Sequence, residues 1–134
     1  IWHFYSETKQ EKYSLTIHNN KAVLFAYSTN GNIKSEQKFK IDDAHIFTQC
    51  KEKRLFPTGA IHALGTRNLV LLANGNKLLE NGKWVYYYTN GMIQSKGKYK
   101  TGKKIGKWIY YDETGDKESQ CFYESGELIS QKKF

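Results

Sequence analysis

The chain has 134 residues, 15% of them aromatic, and carries 21 Lys and Arg against 13 Asp and Glu for a formal net charge of +8. That length holds one domain or a short repeat array and excludes the core of a large enzyme. The basic balance fits an anionic partner (an acidic protein, an anionic lipid surface or nucleic acid) or a merely solvated lysine-rich surface, and it says nothing about fold.

A single Pro beside ten Tyr, seven Phe and three Trp favours β structure. In chain order, "WHFYSETK" (2–9) reads as a first aromatic strand. "AYSTNGNIKSEQKFK" (26–40) reads as a strand, a turn at Asn30-Gly31 and a second strand. "IDDAHIFTQCKEKR" (41–54) is the best stretch for helix or irregular structure. "LFPTGAIHALG" (55–65) repeats the strand–turn–strand pattern around Gly59, and residues 66–80 are expected to form a longer connection. The longest apolar stretch, "NLVLLANG", has the length of a core strand and falls short of the roughly 18 apolar residues that span a membrane. The sequence starts at Ile1 with no Met and no visible signal segment, so a trimmed or processed form is expected.

The last third repeats itself. "GKWVYYYTNGMIQSKGKYKTG" (82–102) aligns with "GKWIYYDETGDKESQCFYESG" (106–126) at a constant offset of 24. Gly82, Trp84, Tyr86, Tyr87, Gly91, Tyr99 and Gly102 fall on Gly106, Trp108, Tyr110, Tyr111, Gly115, Tyr123 and Gly126. Residues 26–40 align with 86–100 at offset 60, and 55–65 align at offset 32 with Gly59 on Gly91 and Gly65 on Gly97. Trp2, Phe4 and Tyr5 take the places of Trp84, Tyr86 and Tyr87. About five copies therefore cover the chain. We read residues 1–134 as one array: degenerate repeats over 1–43, an irregular repeat over 44–80 and well-kept repeats over 81–134. Each copy reads as a β-hairpin, and the succession as an antiparallel meander, an all-β fold. "TGKKIG" and "ESGEL" read as links between hairpins, while Trp84, Tyr86 and Tyr88 share one strand face and Val85 and Tyr87 the other.

The pattern G-x-W-x-Y-Y-x-x-x-G…Y-x-x-G-x-x-x-G-x-W, clear over 82–129 and weaker over 2–43 and 52–65, resembles the MORN repeat in its bacterial variant form. More narrowly it is similar to the YwqK-type antitoxin-like proteins. The upstream copies depart from it, with Leu24 and Glu52 at the Trp position. The resemblance implies an elongated single-layer sheet of stacked hairpins in a bacterial protein, cytoplasmic or exported.

Because they recur at fixed positions, Trp84, Tyr86, Tyr87, Tyr99, Trp108, Tyr110, Tyr111 and Tyr123 are read as the structural core of the repeat, and binding is expected where repeats differ. No acidic residue occurs from Asn81 to Lys107, where Lys83, Lys96, Lys98, Lys100, Lys103, Lys104 and Lys107 fall. Such a block steers anionic partners or serves as a solvated face that blunts sheet edges. Lys96, Lys98, Lys100, Lys103, Lys104, Lys107 and Tyr88 are the expected partner-binding set. With only Arg54 and Arg67 for bidentate phosphate contacts, nucleic acid ranks below acidic protein or anionic lipid. Exposed hairpin edges would allow homodimers.

No catalytic set emerges. His3, His18, His45 and His62 are scattered, and the two cysteines, Cys50 and Cys121, have neither metal-ligand spacing nor a nucleophile motif, leaving a disulfide and two buried thiols equally open. "TGKKIGK" is not a P-loop, and the adjacent acids Asp42-Asp43 and Asp112-Glu113 suit turns better than paired acid–base work. We expect a non-enzymatic, cofactor-free and metal-free protein-binding scaffold. Through the resemblance, its partner could be a toxin or effector that it occludes; the alternative is an anionic membrane surface met through the lysines.

Overall fold

The computed structural model describes residues 2–5, 12–41 and 48–134. Eleven strands lie in one sheet in chain order, each antiparallel to the next: β1 (Trp2–Tyr5), β2 (Lys12–His18), β3 (Lys21–Tyr27), β4 (Ile33–Lys40), β5 (Gln49–Leu55), β6 (Ile61–Leu72), β7 (Gly75–Tyr87), β8 (Ile93–Lys100), β9 (Lys103–Tyr111), β10 (Lys117–Glu124) and β11 (Glu127–Lys133). No helix occurs among the described residues. The fold is all-β, an open meander in which packing runs from each strand to the next. Such a sheet has only its own side chains to bury, so stability accumulates hairpin by hairpin.

The repeat registers are reproduced in hydrogen bonds. Ser28, Phe56, Tyr88 and Asp112 each receive at their carbonyl the N–H of the glycine three residues on, and each donates its own N–H to the carbonyl four residues on, at 2.8–3.1 Å. Those glycines, Gly31, Gly59, Gly91 and Gly115, all have φ between 87° and 97°, a region that L side chains rarely adopt. In the first hairpin Trp2 pairs with Leu15 and Phe4 with Tyr13, as Trp84 pairs with Gly97 and Tyr86 with Ser95. Five hairpins (β1–β2, β3–β4, β5–β6, β7–β8, β9–β10) thus share one register, and β11 adds a further strand.

Two expectations need correction. Residues 49–54 are strand, not helix or irregular chain, and Cys50 and Glu52 alternate inward as a half-buried strand requires; residues 42–47, with Asp42, Asp43 and His45, lie outside the described residues. The stretch 66–80 is no connection either. It is the extended end of a hairpin: β6 has 12 residues where β8 has 8, and β7 has 13 where β9 has 9. The difference of four residues on each strand accounts for the eight by which offset 32 exceeds offset 24. "TG" and "SG", read as links, are themselves tight turns. Thr101 and Gly102 both have positive φ (51° and 79°), as do Ser125 and Gly126 (50° and 87°), the backbone of a two-residue turn matched to strand twist.

Side chains from one face of the sheet gather into two clusters. One holds Ala22, Phe39 and Cys50 with Leu15, Leu24, Ile41 and Leu78. The other holds Ala63, Trp84 and Trp108 with Tyr86, Tyr99, Tyr110 and Tyr123. We call this the front face.

Candidate functional site

The front face is built from a repeated device. Trp84 covers the backbone of Gly65, where an added Cβ would fall 2.0 Å from the indole, and its Nε1–H donates to the Thr66 carbonyl at 2.8 Å. Trp108 covers Gly97 in the same way, 2.2 Å from a notional Cβ, and donates to the Lys98 carbonyl at 3.0 Å. Each tryptophan is fully buried, which a single-layer sheet achieves only by removing the side chain beneath it. Gly82 and Gly106, two residues before each Trp, have φ of 74° and 64°, and the pairing of their strands with the preceding ones shifts register there.

The tyrosines extend the device. The Tyr86 and Tyr99 hydroxyls lie 2.8 Å apart, and those of Tyr110 and Tyr123 lie 2.9 Å apart. Tyr99 meets Trp108 edge-on at 5.1 Å and Trp84 edge-on at 6.2 Å. Burial raises the pKa of Tyr99 and Tyr110, and burial with the Tyr110 hydroxyl beside it pushes Tyr123 up to about 12. Six of the predicted core residues, Trp84, Tyr86, Tyr99, Trp108, Tyr110 and Tyr123, therefore pack together. Tyr87 and Tyr111 stand apart from that cluster; Lys96 Nζ lies 5.8 Å from the Tyr111 ring centroid.

In the middle hairpin the same positions carry charge. Offset 32 places Glu52, Arg54 and Arg67 where Trp84, Tyr86 and Tyr99 stand, and offset 60 places Gln37 where Gly97 stands. Glu52 is 5% exposed. It accepts from Gln37 Nε2 at 2.6 Å and Arg54 Nε at 2.7 Å, and Arg67 Nε, 3.1 Å away, is ion-paired to it without a hydrogen bond. Both arginines also donate to Glu80, at 3.1 and 2.9 Å. Arg54 lies over Trp84, 4.8 Å from the ring centroid, so the ionic group abuts the aromatic one. Two carboxylates and two guanidiniums balance, as burial demands. The sequence signal for this group was Glu52 at a tryptophan position, which reads as repeat decay until its partners are seen.

The lysines divide between the faces. Lys83, Lys96, Lys98 and Lys107 ring a cavity of about 650 Å³ on the back of the sheet, floored by Val85, Ile105 and Ile109. Lys100 and Lys103 are paired across the adjacent turn, and all six are exposed. Lys104 is on the other side: its Nζ donates to the Tyr110 hydroxyl at 3.0 Å and lies 4.8–5.5 Å from the ring centroids of Trp108, Tyr123 and Tyr110. Tyr88 is likewise a packing residue, its hydroxyl donating to the Tyr111 carbonyl at 2.7 Å. The expected partner-binding set of six lysines and Tyr88 does not share one face; the lysine rim surrounds aliphatic residues. Alternation explains the split, since Lys103 and Lys107 have the parity of Ile105 while Lys104 has that of Trp108.

Cys50 and Cys121 are free buried thiols, which resolves the alternative left open by the sequence. Burial, with Glu52 beside it, raises the Cys50 thiol to about 11. The His62 ring lies tilted against that of Phe56, with centroids 4.5 Å apart, and His18 is exposed. Asp112 serves a turn, accepting from the Thr114 and Asp116 N–H groups at 2.9 and 3.1 Å. The Thr114 hydroxyl holds its carboxyl below the usual value. Among the described residues no group of His, Cys, Asp and Glu is placed to hold a metal ion.

No curated protein matches the chain. Among solved structures, the crystal structure of a GtfA/B complex bound to UDP and GlcNAc aligns at 14% identity with a TM-score of 0.29, over 90% of this chain and 24% of that one. The chain thus spans about a quarter of that protein, and a likeness at this level carries neither fold nor activity across. The family model described as "MORN repeat variant" matches twice, at residues 80–101 and 104–125, the two hairpins in which the tryptophan device is intact.

Proposed function

We propose that the chain is a non-enzymatic repeat scaffold that binds an acidic surface of a partner protein through the back of hairpins β7–β8 and β9–β10. The observation that carries this reading is the ring of Lys83, Lys96, Lys98 and Lys107 around an aliphatic floor, with no acidic residue between Asn81 and Tyr111. The lysines would speed encounter and set polarity, and Val85, Ile105 and Ile109 would supply desolvated contact. A protein blocked in this way would be occluded, not chemically altered, which suits an antitoxin-like or immunity-like role. MORN repeats are commonly protein- or membrane-binding modules, which supports the reading at the level of class.

A second reading, adsorption to an anionic membrane, draws on the extended β6–β7 hairpin. Leu71 there is 76% exposed, Leu72 is exposed beside it, and Lys77 follows. Affinity capture from the source organism, comparing wild type with a Lys83→Glu/Lys96→Glu/Lys98→Glu/Lys107→Glu variant, tests the first reading. It predicts one acidic protein retained at stoichiometric level by wild type and lost by the variant. Identical captures from both would contradict it, and flotation with anionic vesicles that disappears at high salt would favour the membrane instead.

A further inference from the structure

The front face holds a second cavity, of about 480 Å³, that the back-face reading does not use. Its floor includes Ser95 and Ser119, 6% and 8% exposed, which add hydroxyl groups to its lining. Tyr86 and Tyr99 also line the cavity. Their two hydroxyls use one proton between them, so one O–H is left to donate outward. Lys104, on the same wall, has three donors and gives one to Tyr110. The cavity is therefore rich in donors, while Lys104 and Glu118 balance its charge, so it is not an anion site.

Ser95 lies in β8 and Ser119 in β10, with β9 between them, and Tyr86 and Tyr110 lie in β7 and β9. At about 4.8 Å per strand, each like pair is spaced by about 9.6 Å across the sheet. A polyproline II helix advances about 3.1 Å per residue with three residues per turn, or about 9.3 Å per turn. Lying across the strands, such a helix would meet one serine and one tyrosine in every turn. Its carbonyls are unpaired and need donors, and its prolines bring no N–H that the cavity would have to satisfy.

We propose that the Ser95–Ser119 groove of the front face binds a proline-rich segment of another protein in the polyproline II conformation. The chain has one proline, so the segment comes from outside the sequence.

Isothermal titration of the full chain with a synthetic peptide of three Pro-Pro-Leu repeats, at concentrations up to about 1 mM, tests this. Saturable binding is expected, absent for the peptide with every proline replaced by alanine. Ser95→Ala and Ser119→Ala should each weaken it about fivefold, the loss of one hydroxyl hydrogen bond, with thermal melts confirming that both variants fold. Lys96→Glu/Lys98→Glu should leave it unchanged, which separates this groove from the back face. The proposal is overturned by no saturation, by equal binding of the alanine peptide, by binding insensitive to both serines, or by saturation with cellohexaose in place of the peptide.

Discussion

The indole of Trp108 occupies the space that a side chain at residue 97 would fill: a Cβ on Gly97 would lie 2.2 Å from its ring, and its Nε1–H reaches the carbonyl of the very next residue, Lys98. Tryptophan and glycine are thus one structural unit divided between two strands, and the same unit joins Trp84 to Gly65.

The unit makes a double-mutant prediction. Trp108→Ala should cost about 3–5 kcal/mol, as for a large buried side chain. Gly97→Ala should cost a comparable amount by expelling the indole. Because both remove the same packing, the double variant should cost much less than the sum of the singles. Chemical denaturation of the four proteins measures this, and additive losses would mean the two residues act separately.

Thr101 is a β-branched residue held at φ 51° in the β8–β9 turn. The left-handed region costs such a residue about 1–2 kcal/mol, and Asn tolerates it better. Thr101→Asn should therefore raise stability by about 0.5–1 kcal/mol. An unchanged or lowered melting temperature would show that the turn is not strained.

The tyrosine pairs set an alkaline limit. Tyr99, Tyr110 and Tyr123 have raised pKa values in the folded chain, Tyr123 at about 12 against an ordinary 10.0. Above pH 10 the unfolded chain releases these protons while the folded chain keeps them, so the unfolded state gains and stability falls as pH rises from 10 towards 12. Below pH 10 the three tyrosines make no pH-dependent contribution. Melting curves of wild type and Tyr99→Phe/Tyr123→Phe over this range should converge as pH rises; parallel curves would contradict the assignment.

The charged hairpin offers a swap. Glu52→Ala alone should destabilise by about 3–5 kcal/mol, because Arg54 and Arg67 lose their shared buried counter-ion. Gln37→Gly/Glu52→Trp/Arg54→Tyr/Arg67→Tyr/Glu80→Lys writes the regular repeat into the same strands and should fold, with stability equal to or up to about 4 kcal/mol above wild type. Failure of this variant to fold would mean that the middle hairpin is not equivalent to its neighbours.

Much of this was legible in the sequence wherever the chemistry is local. "TNG" and "ETG" each require a glycine at positive φ, so Gly91 and Gly115 marked their turns, and the aromatic recurrence at offset 24 marked the ladder. Asn74-Gly75 carried an equally strong hairpin signal, but an eight-residue insertion looks like a connection unless it is divided equally between two strands. Glu52, Arg54 and Arg67 looked like losses because a repeat is recognised by its aromatics, whereas the sheet needs only that each position be satisfied, by packing or by charge. Lys104 and Lys107 adjoin in sequence, yet alternation sends them to opposite faces, and a charge block spread over a turn is therefore not a patch.

The central claim is that the lysines on the back of the last hairpins bind while the aromatic ladder holds the fold. Lysine-acylation footprinting by mass spectrometry, on the free chain and on its complex with the captured partner, tests it most directly. Protection of Lys83, Lys96, Lys98 and Lys107 on binding, with exposed Lys12 and Lys132 labelled as in the free chain, is the predicted result. Equal labelling of the four in both states would contradict it.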